Sequence, residues 1–144
     1  MTGEALIEGY ASLFGEEDLC GDIVRAGAFA RSLMGDGQSA PMLLQHQGGR
    51  VVGRWVRMVE DGKGLYVRGL VDENSPAGAG ALRLIRRGML SGLSIGFIAR
   101  NWSPRPGRGR DLKTLELREI SLVTSPMAPK ARFMVLSDAV KAVA

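Results

Sequence analysis

The sequence predicts one α+β domain, mainly β: an antiparallel sheet or barrel with flanking helices. Three observations predict it. The chain has 144 residues, 45% hydrophobic and 24% charged, which is a single globular domain's worth with enough apolar content for a core. Apolar residues recur in short runs at a period of two, punctuated by Gly, Asp and Pro. Only two segments carry a helical period, and they do not alternate with strands as βαβ units would.

Taken in order, Leu6–Phe14 alternates as a first strand. An acidic loop follows, broken by Gly15 and Gly21. Phe29 and Leu33, with Ala30 and Met34, repeat at helical spacing, and Asp36-Gly37 ends that short helix. Pro41–Gln47 reads as a strand bounded by Gly48-Gly49. Val51–Val59 and Leu65–Val71 read as a hairpin, because Asp61-Gly62 lies between the two apolar runs. Ser75-Pro76 suits a helix start, with Ser at the cap and Pro in the first turn. Ala81, Leu82, Ile85 and Met89 form its apolar stripe, and Gly88 marks its end. Gly92–Ala99 is a strand, Ser103–Arg110 a loop rich in Pro, Gly and Arg, Leu112–Thr124 the longest strand, and Arg132–Leu136 a shorter one. The whole of 1–144 reads as one domain without repeats.

Several function classes are excluded. No apolar run approaches the ~18 residues of a membrane span. The N-terminal MTGEALIEGY carries Glu4 and Glu8 and no basic region, unlike a signal peptide. A lone Cys20 rules out an internal disulfide and multi-cysteine metal sites, and a lone His46 rules out paired-histidine sites. No metal or cofactor is therefore expected, and the cytoplasm is the default compartment.

Charge is unevenly spread behind a net +4. Residues 1–22 hold Glu4, Glu8, Glu16, Glu17, Asp18 and Asp22 with no Lys or Arg, whereas residues 83–113 carry a net +7. Such a basic segment suits an acidic partner or simply forms a solvated arginine-rich face. A nucleic-acid-binding barrel would use Arg100–Lys113 for phosphates and Trp55, Tyr66 and Trp102 for stacking. Aromatics are only 6% of the chain and, Trp102 apart, stand away from the arginines, so nucleic acid is not the expected partner. The loop itself is expected to be mobile.

Three residues are candidates for chemistry. Ser94, in SGLSIGF, alternates with the apolar Leu93, Ile95 and Phe97 and has Gly92 and Gly96 as same-face neighbours. That leaves a hydroxyl uncrowded for a substrate, or marks a tight corner between two backbones. Ser91 is its rival. His46 falls on the face of Met42 and Leu44, the expected inward face, as a core histidine or a general base. Glu119 shares a strand face with Leu115, Leu117, Ser121 and Val123, where a carboxylate needs a partner: an arginine, or His46.

Four stretches add a resemblance. GYASLFGEEDLCGDIVRAGAFARSL, MLLQHQ, SPAGAGALRLIRRGMLSGLSIGFIAR and LKTLELREISLVTSPMAPKA, in that order and spacing, resemble the prohead maturation proteases of tailed bacteriophages, a family found also in prophages and gene transfer agents. The resemblance implies a fold like the herpesvirus assemblin peptidases: a mainly antiparallel β-barrel wrapped by helices. It implies a serine endopeptidase inside the procapsid in the host cytoplasm, digesting scaffold or the scaffold-like part of the major capsid protein, and often itself. Ser94 matches the nucleophile, His46 the general base and Glu119 the third position, where the herpesvirus relatives place a second histidine. The Thr124–Ala131 turn is expected to lend backbone N–H groups to an oxyanion hole. The herpesvirus relatives imply a homodimer. Family members often carry a further tail, so a trimmed or compact form is expected. The remaining alternative is an inactive relative that keeps the barrel for capsid assembly.

Overall fold

The computed structural model describes residues 3–138. Its strands are β1 (Glu4–Leu13), β2 (Ile23–Val24), β3 (Met42–Leu44), β4 (Gln47–Glu60), β5 (Gly64–Asp72), β6 (Gly92–Pro104), β7 (Arg110–Val123) and β8 (Phe133–Asp138). Its helices are α1 (Ala30–Leu33), followed by a 3₁₀ turn at Asp36–Ser39, and α2 (Gly78–Arg86). The mainly-β class with two short helices is as expected.

The expected antiparallel barrel is corrected. The strands form one mixed sheet in the order β2-β7-β3-β4-β5-β1-β8, with β6 on the other edge of β7. β7 takes β2 and β3 as parallel neighbours at its two ends, and β6 as an antiparallel one. The sheet curls but does not close. β6 meets the approach to β8 only at a corner, where Leu93 N–H donates to the Ala131 carbonyl and Phe133 N–H to that of Ser91, each at 2.9 Å. Where β1 and β6 come near each other, Ser12, Asp18, Asp22, Met127 and Ala128 lie around a cavity of about 60 Å³ instead of a hydrogen-bonded ladder.

Alternation buries one face. Ile7, Met42, Val52, Leu65, Leu93, Leu112, Leu115, Ile120 and Leu122 form the core with Phe29 and with Leu82 of α2. The β4–β5 turn follows its Asp-Gly signal: Asp61 Oδ1 accepts from Lys63 N at 2.8 Å and Gly64 N at 3.1 Å. α2 begins later than Ser75-Pro76 suggests, because those residues form a turn of their own in which Gly78 N donates to the Ser75 carbonyl at 3.0 Å. Met89 is exposed rather than part of the stripe. Gly88, at φ 72°, ends the helix in the left-handed region and turns Leu90 into the core instead.

The basic segment is not a free mobile loop. β6 and β7 run on as a hairpin to Pro104 and Arg110, and the tip closes with Arg105 N–H on the Gly109 carbonyl at 3.0 Å. This hairpin lies on the acidic loop after β1. Arg105 pairs with Glu17 at 3.0 Å, and Arg108 donates to the Leu19 carbonyl at 2.9 Å. Asp22 accepts from Arg110 N at 2.9 Å and Nη2 at 2.8 Å. That hydrogen bond pushes the Arg110 guanidinium pKa further up. The two ends of the charge asymmetry thus meet within the chain. Trp102 stacks under Arg110, whereas Trp55 is half-buried and donates to the Ile120 carbonyl at 3.4 Å, so the aromatics form no common platform.

The acid–base contact predicts a contrast. Asp22 is 7% exposed, so Asp22→Ala strands charged donors and should lower unfolding stability by about 2 kcal/mol. Glu17, whose side chain is 46% exposed, is screened, and Glu17→Ala should cost well under ~1 kcal/mol. Urea unfolding of both variants checks this, and equal losses would refute it.

Candidate active site

His46 owes its place to a turn. β3 ends at Leu44 and β4 starts at Gln47, which pairs back to Leu44, so Gln45 and His46 alone make the connection. Both have left-handed backbones, at φ 53° and 61°. A two-residue hairpin with positive φ at both central positions normally carries Asn, Asp or Gly. A Gln-His pair there is strained, which commonly marks a functional position. The expected continuous strand 41–47 is therefore wrong, and so is the inward histidine: its side chain is 43% exposed.

The turn is held from β7 and the residue after it. Gln45 N–H donates to the Leu122 carbonyl at 3.0 Å. The Gln45 side chain clamps Thr124, donating through Nε2 to Oγ1 at 3.0 Å and accepting from Thr124 N at 3.2 Å. His46 N–H donates to Ser121 Oγ at 3.0 Å.

Glu119 is turned toward this histidine by a bulge. Leu117 faces Phe97 across the β6–β7 ladder, yet Glu119 faces Gly96, the very next residue of β6. Arg118 is the extra residue, and it reverses which residues of β7 point inward. Leu115 and Leu117 are core residues before it, Ile120 and Leu122 after it. Glu119 thus does not share a face with Leu117, as strict alternation had suggested, but lies opposite the core with Ser121. The sequence signal was present: the apolar spacing lengthens from two to three between Leu117 and Ile120.

The carboxylate bridges two partners. Glu119 Oε2 lies 2.5 Å from His46 Nδ1, and Oε1 accepts from Ser121 Oγ at 2.6 Å. Its side chain is 14% exposed. Room for it comes from Gly96, where a Cβ would stand 2.4 Å from Oε2. Glu116 has no such role. It pairs with Arg100 at 2.6 Å and Arg118 at 3.2 Å, and the Arg100 hydrogen bond holds its carboxyl below the usual carboxylate range.

Ser94 stands directly across the ladder from Ser121, on the face of Glu119. Directly opposed residues of antiparallel strands are within ~5.5 Å at Cα. The hydroxyl that meets His46 N–H therefore belongs to the cross-strand neighbour of Ser94. Ser94 is 8% exposed, lines the small cavity, and makes no side-chain hydrogen bond among the described residues. Ser91 stands apart, its Oγ accepting from Arg132 Nη1 at 3.2 Å. In the turn over residues 124–131, the Thr124 and Ala131 amides are taken by Gln45 and Ala128. Met127 and Ala128 line the same cavity as Ser94.

Sequence reasoning missed Ser121 as a partner, although alternation put it beside Glu119, and missed Gln45 altogether. Among the described residues, no group of three His, Cys, Asp or Glu is placed to hold a metal ion.

Known proteins resemble this chain in sequence and in fold. The family model described as caudovirus prohead serine protease matches residues 1–144. The prohead protease of Enterobacteria phage HK97 is 35% identical over 131 residues, covering 89% of this chain and 58% of that protein. The chain thus spans little more than half of that relative's length. Two solved structures share the fold. The bacteriophage T4 capsid assembly protease matches at TM-score 0.70 and 14% identity, covering 82% of this chain and 80% of that one. The KSHV protease, in complex with a hexapeptide phosphonate inhibitor, matches at TM-score 0.65 and 16% identity, covering 97% and 68%.

Gly96 supplies a test of the carboxylate's seat. The Cβ of Gly96→Ala meets the mobile end of Glu119 rather than backbone, so the fold should survive while the His46–Glu119 contact is lost. The chain has one histidine, so a single ring N–H proton signal, shifted downfield by a short charge-assisted hydrogen bond, reports it. Persistence of that signal in Gly96→Ala would contradict this account.

Proposed function

The chain belongs to the caudovirus prohead serine protease family, and on that premise we propose that it is a serine endopeptidase of procapsid maturation, with Ser94 as nucleophile, His46 as general base and Glu119 as the acid that orients the base. The observation that carries this reading is the 2.5 Å contact between His46 Nδ1 and Glu119 Oε2, on the sheet face that also bears Ser94.

The chemistry follows from that contact. With the Nδ1 proton held by a carboxylate, the neutral ring keeps its lone pair on Nε2. Nε2 takes the Ser94 proton as Oγ forms its bond to the peptide carbonyl carbon, and Glu119 stabilises the resulting imidazolium. The ring returns that proton to the leaving amine as the C–N bond breaks. Water, deprotonated by the same ring, then releases the acyl group and restores Ser94. Oxyanion donors come from the turn over residues 124–131, whose Met127 and Ala128 border the serine's cavity. The substrates are the scaffold or the scaffold-like segment of the major capsid protein, cut inside the procapsid in the host cytoplasm, along with the protease itself. A homodimer is the proposed assembly. No helix of the described residues is long and apolar enough to cross a membrane. A nucleic-acid-binding role finds less support, since Arg105, Arg108 and Arg110 are engaged by the chain's own loop.

Co-expression with the capsid protein tests the assignment. Ser94→Ala should abolish cleavage with folding intact, and Ser91→Ala should cleave normally. The reverse pattern in product masses would move the nucleophile to Ser91.

Glu119→Gln separates orientation from structure. It keeps the shape and removes the charge, so turnover should fall by about 10⁴-fold, as for the equivalent change in a serine protease triad, with a modest loss of melting temperature. A large drop in melting temperature with near-normal turnover would make the pair structural only.

A further inference from the structure

We propose that Ser121 is the positioning residue of this site, setting acid and base together through one buried hydroxyl; the inference rests on the protease reading above. A serine hydroxyl has one proton and two lone pairs. Here the proton goes to Glu119 Oε1 at 2.6 Å, and a lone pair takes His46 N–H at 3.0 Å. Ser121 is 0% exposed, so water does not replace it in either bond. Each carboxylate oxygen of Glu119 then has its own partner, Oε1 with Ser121 and Oε2 with the imidazole. Rotation of the carboxylate would break both contacts, so the ring faces a fixed acceptor.

The second half of the argument is the backbone of His46. At φ 61° this residue lies in the left-handed region, which only a few per cent of non-glycine residues adopt. The clamp between Gln45 and Thr124 supports the first residue of the turn. For the second, the Ser121 hydroxyl is the acceptor that His46 N–H reaches. Ser121 also faces Ser94 across the ladder. One oxygen is thereby tied to all three reacting positions: to the acid and base by hydrogen bonds, to the nucleophile by strand register. Ser121 is not itself a rival nucleophile. Its hydroxyl is engaged in both hydrogen bonds, and the side chain is sealed from substrate.

The test compares Ser121→Ala, Ser121→Cys and Ser121→Thr in the full chain by steady-state kinetics, thermal unfolding and the His46 ring N–H signal. Ser121→Ala should lower kcat about 10- to 100-fold through misplacement of the base, with KM unchanged, and should abolish the downfield signal. Ser121→Cys, with its weak S–H donor, should do the same, and it keeps the test alive if the alanine variant fails to fold. Ser121→Thr retains the hydroxyl and should recover most of kcat and the signal. Wild-type kcat with the signal intact in the folded alanine or cysteine variant would overturn the proposal. A failure of the protease reading shows elsewhere, as cleavage that persists in Ser94→Ala, while the proton signal still decides the role of Ser121.

Discussion

One extra residue in β7 governs the rest of the site. Without the bulge at Arg118, the pairing of Leu117 with Phe97 would continue, and Glu119 would point into the core beside Leu115 and Leu117. A carboxylate there would be buried without a water-exposed partner, a costly state. With the bulge, Glu119 emerges over Gly96, and Ile120 and Leu122 take over the core positions. The core loses little, because the apolar residues shift phase along with the backbone. The site gains a carboxylate that is largely sheltered yet reaches the solvent-facing ring of His46.

β7 is also the strand on which every other part of the site is hung. Its parallel neighbour β3 delivers the Gln45–His46 turn alongside Leu122 and Ser121. Its antiparallel neighbour β6 delivers Ser94 opposite Ser121. This mixed pairing is where the sheet departs from an all-antiparallel one, and it has a chemical consequence. A strand with partners on both edges fixes residues from two otherwise distant segments, 42–47 and 92–96, against a single ruler. The far end of the same β6–β7 hairpin is anchored separately, by Arg105, Arg108 and Arg110 on the acidic loop. The basic stretch that suggested an acidic partner from composition has found one within its own chain.

Much of this was legible from residues alone, and the parts that were not have definite causes. Period-two alternation located β1 and the body of β6 and β7, because each buries one face, and Asp61-Gly62 between two apolar runs located the β4–β5 hairpin. Ser94, His46 and Glu119 were all singled out; the structure brings His46 and Glu119 into contact, and Ser94 lies on the sheet face of Glu119, across the ladder from Ser121. β2 was missed because its two residues, Ile23 and Val24, are too few to show a period. The turn at Gln45–His46 was missed because Gln-His is not one of the Asn-Gly or Asp-Gly pairs that signal a two-residue hairpin, while Gly48-Gly49 just beyond drew the boundary to the wrong place. The side-chain network was hidden for a different reason. Ser121 touches Glu119 two residues away but His46 from a distant segment, and no local pattern encodes that second contact.

The strained turn explains why the histidine is available at all. On a continuous strand, His46 would follow Leu44 onto the buried face, with its ring among core side chains. A relaxed Asn-Gly turn would reach the same backbone path without strain but would remove both the ring and the Gln45 clamp. The observed turn holds two non-glycine residues in the left-handed region, each at roughly 1–3 kcal/mol. Four hydrogen bonds from Ser121, Leu122 and Thr124 offset that cost: one to His46 N–H, one to Gln45 N–H, and two shared between Gln45 and Thr124. All of them come from β7 or the residue that follows it. The strain at His46 and the bulge before Glu119 are therefore supported by the same strand, and Ser121 joins the two seats through its hydrogen bonds to both residues.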